Sequence, residues 1–253
     1  MKETGLIFNG DMVRATLDGR KTQTRRIIKP QREGLNWSVK PAQSPMTKVH
    51  THDWWLPNGT LPYSALPRCP YGVIGDRIWV RETWGVVSHA FDDDCMMTKW
   101  IPDRPATAIN EMPFGNGYYS GHVIYAADGS FTWGDDDGHE DGRSCWKPSI
   151  FMPRAASRIT LEITGVRVER LNDISPEDAE SEGLERTNFT GFGDEPGMPC
   201  FPEPDVYRGT KEHGWTECPS EAFQHLWQSL YGEESWQKNP WCWVIEFQRV
   251  NAD

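Results

Sequence analysis

The chain has 253 residues, with 26 Lys and Arg against 37 Asp and Glu, a formal charge of −11, and 37% hydrophobic residues. The length suits one large domain or two small ones. The acidic balance argues against a broad, sequence-blind grip on duplex nucleic acid, which depends on neutralising many phosphates, but leaves room for a small basic pocket for one nucleotide. No apolar run reaches the ~20 residues needed to cross a bilayer.

The first residues, Met1-Lys2-Glu3-Thr4, lack the apolar core of a secretion signal. The chain therefore reads as cytoplasmic, with no membrane partner. Cys69, Cys95, Cys145, Cys200, Cys218 and Cys242 form no C-x-x-C pair, so a zinc ribbon fails on spacing. A disulfide framework does not suit a cytoplasmic chain. His52 and Asp53, with a remote cysteine, are the one combination with metal-ligand chemistry. A plain polar loop is the simpler reading, and no metal or cofactor is expected. Most of the 13 tryptophans should anchor core or loops, and a minority could stack on a base.

Residues 4–8 read as a first strand. Residues 11–17 read as a short amphipathic helix with Met12, Val13 and Leu17 on its apolar side. Asn9 or Asp11 can cap it, and Gly19 can end it in the left-handed region. Then comes Gly19-Arg20-Lys21-Thr22-Gln23-Thr24-Arg25-Arg26, an unusually basic block in an acidic chain. Residues 24–28 read as the next strand, which puts Lys21 and Thr24 on a helix-to-strand connection. A solvated basic loop is the bland alternative.

From about 30 to 68 prolines break every pattern. An irregular insertion is expected there, with Trp54-Trp55 as its anchor. Gly75-Asp76 is a turn, and Ile78 and Val80 alternate with polar neighbours as a half-buried strand. Glu82 and Trp84 close that strand, as a salt bridge and a core plug or as pocket lining. A second insertion, about 86–148, holds Asp92-Asp93-Asp94 and Asp135-Asp136-Asp137. Neither acidic run has EF-hand spacing, so solvated turns are expected. Residues 118–126 suggest a hairpin. Arg154 precedes the strongest strand signal, 157–170, and suits either a phosphate or carboxylate contact or a structural salt bridge.

Ser175, Pro176 and Asp178 mark a helix N-terminus, and Gly183 its end. Glu177, Glu180 and Glu182 fall within it. A third insertion spans about 186–219. Residues 220–231 form an amphipathic helix that buries Phe223, Leu226, Trp227 and Leu230. Residues 239–247 form a closing strand.

Gly19-x-Lys21-x-x-Thr24-x-Arg26 resembles the G-x-K-x-x-E-x-R signature of ASCH domains, small PUA-like β-barrels. Thr24 stands where most members carry Glu. That departure is similar to the small bacterial ASCH amidohydrolases acting on N4-acetylcytidine, which use a Lys, a Thr and a distant Glu. The Gly75 strand, the 157–184 strand and helix, and the closing Val244-Ile245-Glu246-Phe247 strand extend the resemblance, and the insertions fall outside it. The whole is similar to the elaborated ASCH proteins common in bacteriophage and prophage genomes. The resemblance implies an α+β fold, a single domain over 1–253 built as a mixed β-barrel with flanking helices. It implies a nucleoside-directed amidohydrolase with Lys21, Thr24 and Glu182 as its catalytic set. Arg26, Glu82, Trp84 and Arg154 would bind substrate.

In that chemistry Arg20, Arg25 and Arg26 would lower the Lys21 pKa. Glu182 would exchange protons with Lys21 and the leaving amine, and Thr24 would hold the oxyanion. The rival is a module that binds a modified nucleoside or single-stranded nucleic acid without cleaving it. Ribonuclease action and a phage assembly or host-interaction role are further alternatives. Oligomeric state stays open.

Overall fold

The computed structural model describes residues 1–32, 36–47, 49–132, 145–187, 206–210 and 213–250. Strand β1 (Glu3–Ile7) leads to helix α1 (Gly10–Leu17) and β2 (Gln23–Ile27). Then come β3 (Ser38–Pro41), β4 (His52–Trp55), β5 (Ser64–Ala65), β6 (Arg77–Arg81) and β7 (Trp84–Val87). They are followed by β8 (Ala90–Phe91), β9 (Met97–Thr98), β10 (Thr107–Phe114), β11 (Gly117–Tyr125) and β12 (Thr160–Arg170). Helix α2 (Pro176–Ser181), β13 (Glu185–Thr187), β14 (Val206–Arg208), α3 (Pro219–Tyr231), α4 (Glu233–Gln237) and β15 (Trp241–Val250) complete the chain. The fold is α+β, mostly strands in several sheets with few helices. Among the described residues these sheets are open, and none closes into a barrel. No helix among them is long and apolar enough to cross a membrane.

Tertiary contacts divide the chain into two compact units. The first comprises 1–14, 77–162 and 249–253. In it β1 runs parallel to β6, with Leu6 opposite Val80, and the start of β12 pairs antiparallel with β6. Gly5 is required here, because a Cβ would sit 2.8 Å from the Trp79 ring. Residues 118–126, expected to form a hairpin, instead lie up to Tyr125 on the single strand β11, which pairs antiparallel with β10 and with β7. Its core gathers Trp84, Val86, Met112, Val123, Tyr125 and Met152. Asp92 makes the expected turn, its Oδ1 accepting the N–H groups of Asp94 and Met96. Asp135-Asp136-Asp137 lie outside the described residues.

The second unit comprises 15–76 and 163–248. Strands β12, β15 and β2 are neighbours in one sheet, with Thr24 opposite Ile245. Helix α3 packs Phe223, Leu226 and Trp227 against Leu171, Ala179, Leu184, Tyr207 and Cys242. Leu230, expected in that core, is 40% exposed because it falls near the helix end. The segment from 30 to 68, expected to be irregular, instead carries an antiparallel sheet of β3, β4 and β5. Its strands are too short and too proline-broken to show a period, yet Trp54 and Trp55 are buried as its anchor. The third insertion is described only at its ends, where β13 and β14 pair antiparallel.

Candidate functional site

The basic block forms the expected connection between α1 and β2. Asn9 Oδ1 accepts the Met12 N–H and caps α1. Gly19 takes φ +78°, and the Ala15 carbonyl accepts the N–H groups of both Arg20 and Lys21. At the other end of the site Ser175 Oγ accepts the Asp178 N–H and starts α2. Glu182, expected inside that helix, is its C-terminal cap residue, and Gly183 turns the chain at φ +93°.

The two ends are sewn together. Lys21 and Glu182 form an antiparallel bridge, and the Thr22 N–H donates to the Ser181 carbonyl at 2.9 Å. The backbones approach so closely that a Cβ on Gly183 would lie 2.8 Å from the Cβ atoms of Ala15 and Lys21. Lys21 Nζ donates to the Glu182 carbonyl at 2.8 Å and to Glu182 Oε2 at 3.0 Å. The side chains of this pair are 0% and 4% exposed.

Behind the pair stands Arg25, whose role the sequence suggested only as a nearby charge. Its Nη1 donates to Glu182 Oε1 at 3.2 Å, and its Nη2 donates to Glu169 Oε2 and Asp178 Oδ2, both at 2.9 Å. Arg167 extends the network to Glu169, Asp178 and Glu246. The period-2 alternation of β12, which sets Arg167 and Glu169 on one face, was the available signal. Nothing local marked Arg25, because its partners lie far along the chain.

Burial sets the electrostatics. Removal from water pushes the Lys21 amine below the usual lysine range. The Glu182 charge and hydrogen bond oppose this, while Arg26 and Arg25 add to the downward push. The expected push from Arg25 and Arg26 is thus present, and desolvation is the largest cause. Arg20 points elsewhere, its Nη1 donating to the Gly183 and Leu184 carbonyls. Burial raises the Asp178 carboxyl, but the Arg25 and Arg167 contacts outweigh it and hold that group below the usual range.

Beside the bridge lies a cleft of about 440 Å³, walled by Gly19, Arg20, Thr22, Glu177, Glu180, Ser181, Leu184, Arg186 and Tyr207. Successive residues on a bridged strand face opposite ways. Arg20 and Thr22 are exposed while Lys21 between them is buried. The cleft is accordingly lined by the chain neighbours of Lys21 and Glu182, and the pair itself projects to the inner face. Glu180, Arg186 and Tyr207 do not stand out as site residues in the sequence. Tyr207 and Arg186 belong to a Gly- and Pro-rich stretch without periodicity, and Glu180 looks like any solvated helix glutamate.

None of the other expected site residues lines this cleft. Thr24 is buried on β2. Arg26 Nη1 donates to the Tyr231 hydroxyl on α3 at 3.1 Å. In the first unit, Arg158 grips Glu82 through two hydrogen bonds, at 3.0 and 2.9 Å. Burial raises the Glu82 carboxyl while Arg158 opposes this. Trp84 is a core residue that meets Phe114 edge to face at 5.3 Å. Arg154 pairs with Glu3 at 3.0 Å and donates to Thr160 Oγ1. The Asp53 carboxylate is engaged by His50 Nε2 at 2.6 Å, and His52 Nδ1 meets Thr51 Oγ1. Among the described residues no three His, Cys, Asp or Glu side chains cluster as metal ligands. Comparison of the chain with protein-family models, with curated proteins and with solved structures finds no match.

Proposed function

We propose that this chain is a nucleoside-directed binding protein of the ASCH type on a PUA-like scaffold. Its cleft, at the turn after α1 and along α2, takes one base-sized ligand. The observation that carries this reading is the make-up of the cleft. A volume of about 440 Å³ falls in the ordinary range for small-molecule sites. Its wall mixes the Thr22 and Ser181 hydroxyls, two carboxylates, two guanidinium groups and Tyr207, which suits the donors and acceptors of a base edge. The ASCH-like signature supports the assignment, because Gly19 and the neighbours of Lys21 build one side of this wall. In this reading Lys21, Glu182 and Arg25 are the struts that hold the wall in place.

Deacylation of an N4-acylated cytidine is the second reading, favoured by the lowered Lys21 pKa and its 3.0 Å contact with Glu182. A neutral Lys21 would take a proton from water as the oxygen attacks the acyl carbonyl. Thr24 would donate to the oxyanion, and Glu182 would pass the proton to the departing N4 amine. The products are cytidine and a carboxylate. This requires the bridge to open, since the pair faces inward.

One experiment separates the readings. The full chain is titrated with cytidine and N4-acetylcytidine and then incubated with each, followed by mass analysis. Binding without change of mass is the expected result. Release of cytidine that is lost in Lys21→Ala, with ligand binding retained, would replace it with the hydrolase. Absence of binding by either compound rejects both.

A further inference from the structure

The pairing of charges around the cleft bears on which form of a nucleoside it accepts, and this inference rests on the reading of the cleft as a nucleoside site. Two arginines line it. Arg20 spends its guanidinium on the Gly183 carbonyl at 3.0 Å, the Leu184 carbonyl at 2.9 Å and Asp18 at 3.1 Å. Arg186 meets Glu180 at 3.6 Å and lies over the Tyr207 ring at 5.9 Å. The other Glu180 oxygen accepts the Tyr207 hydroxyl at 2.7 Å. Lys21, the remaining cation of the turn, is held on the inner face by Glu182. Each of these cations already has an acceptor, and Glu177 adds an exposed carboxylate to the same wall.

A phosphate held here would compete with those acceptors for the two guanidinium groups and sit beside two carboxylates, on a chain of net charge −11. An uncharged nucleoside meets no such repulsion, and its N–H groups suit carboxylate acceptors. We propose that the cleft takes an unphosphorylated nucleoside or base through its N–H edge, and that Glu177 and Glu180 turn away nucleotides and nucleic-acid strands. The carboxylates thus act as a charge filter as well as acceptors.

The test titrates the full chain with cytidine, cytidine 5′-monophosphate and a short oligocytidylate at low and high salt. Cytidine should bind about tenfold or more tightly than its monophosphate at low salt. The gap should narrow as salt screens the carboxylates. Glu180→Gln, which removes the charge facing Arg186, should shrink the gap several-fold, and exposed Glu177→Gln should shrink it while leaving the Glu180–Arg186 contact in place. A monophosphate or oligonucleotide that binds more tightly than cytidine, and weakens with salt, overturns the filter while leaving the cleft a nucleoside site. An unchanged gap in both variants overturns the role of the two carboxylates. If no compound binds, the nucleoside reading falls and the filter falls with it.

Discussion

At the scale of single residues, Lys21 and Glu182 behave as a buried ion pair whose charges answer one another. Taking either charge out of water is costly, and the contact is sustained because Arg25 and the Glu182 carbonyl complete its hydrogen bonds. Removing one partner strands the other. Glu182→Leu should therefore lower the free energy of unfolding by about 3–5 kcal/mol, while the double variant Lys21→Met with Glu182→Leu should recover most of that loss. Denaturant midpoints of the two variants measure the difference. A double variant as unstable as Glu182→Leu alone would remove the strut role from the pair. The meeting of these two residues was legible only through the family resemblance, because 161 positions separate them and no local spacing relates them. Their inward direction was not legible. It depends on a one-residue bridge, and the sequence carries too little strand there to show which face is buried.

At the scale of elements, the site is made by two turns, each closed by a glycine for a different reason. Gly19 has φ +78°, and a Cβ placed on it would meet nothing within 4 Å, so only its backbone angle calls for glycine. Gly183 has φ +93° and also the close approach of Ala15 and Lys21. Gly19→Ala should cost about 1–2 kcal/mol of stability, the strain of the left-handed region alone. Gly183→Ala should cost roughly 1–3 kcal/mol more through overpacking, and should weaken any ligand of the cleft as the bridge is pushed apart. Thermal unfolding and a binding titration check both, and equal effects at the two glycines would contradict the close approach. These turns were readable because glycine, the caps and the helix period are local signals. The β3–β4–β5 sheet was not, since prolines mask strands of two to four residues whose stability comes from Trp54 and Trp55 rather than from propensity.

At the scale of the whole molecule, the α+β class that the resemblance implied is the class the strands and helices form, whereas the grouping of contacts into two compact units had no composition boundary to announce it. Charge was informative in one respect and silent in another. The acidic total argued against a phosphate-gripping surface, but it could not reveal that one basic octet divides its side chains between two faces. Arg20 and Thr22 go to a cleft, and Lys21 and Arg25 go to a buried network. On that division rests the view that the signature residues hold a binding wall rather than attack what lies in it. Amine-reactive labelling of the folded chain, with each lysine followed by peptide mass analysis, tests it most directly. The reference is Lys238, whose side chain is 73% exposed. Lys21 is expected to label about 100-fold or more slowly than Lys238, at a rate set by local opening. Lys21 labelling as fast as Lys238 would contradict the division of faces and return the amine to the cleft.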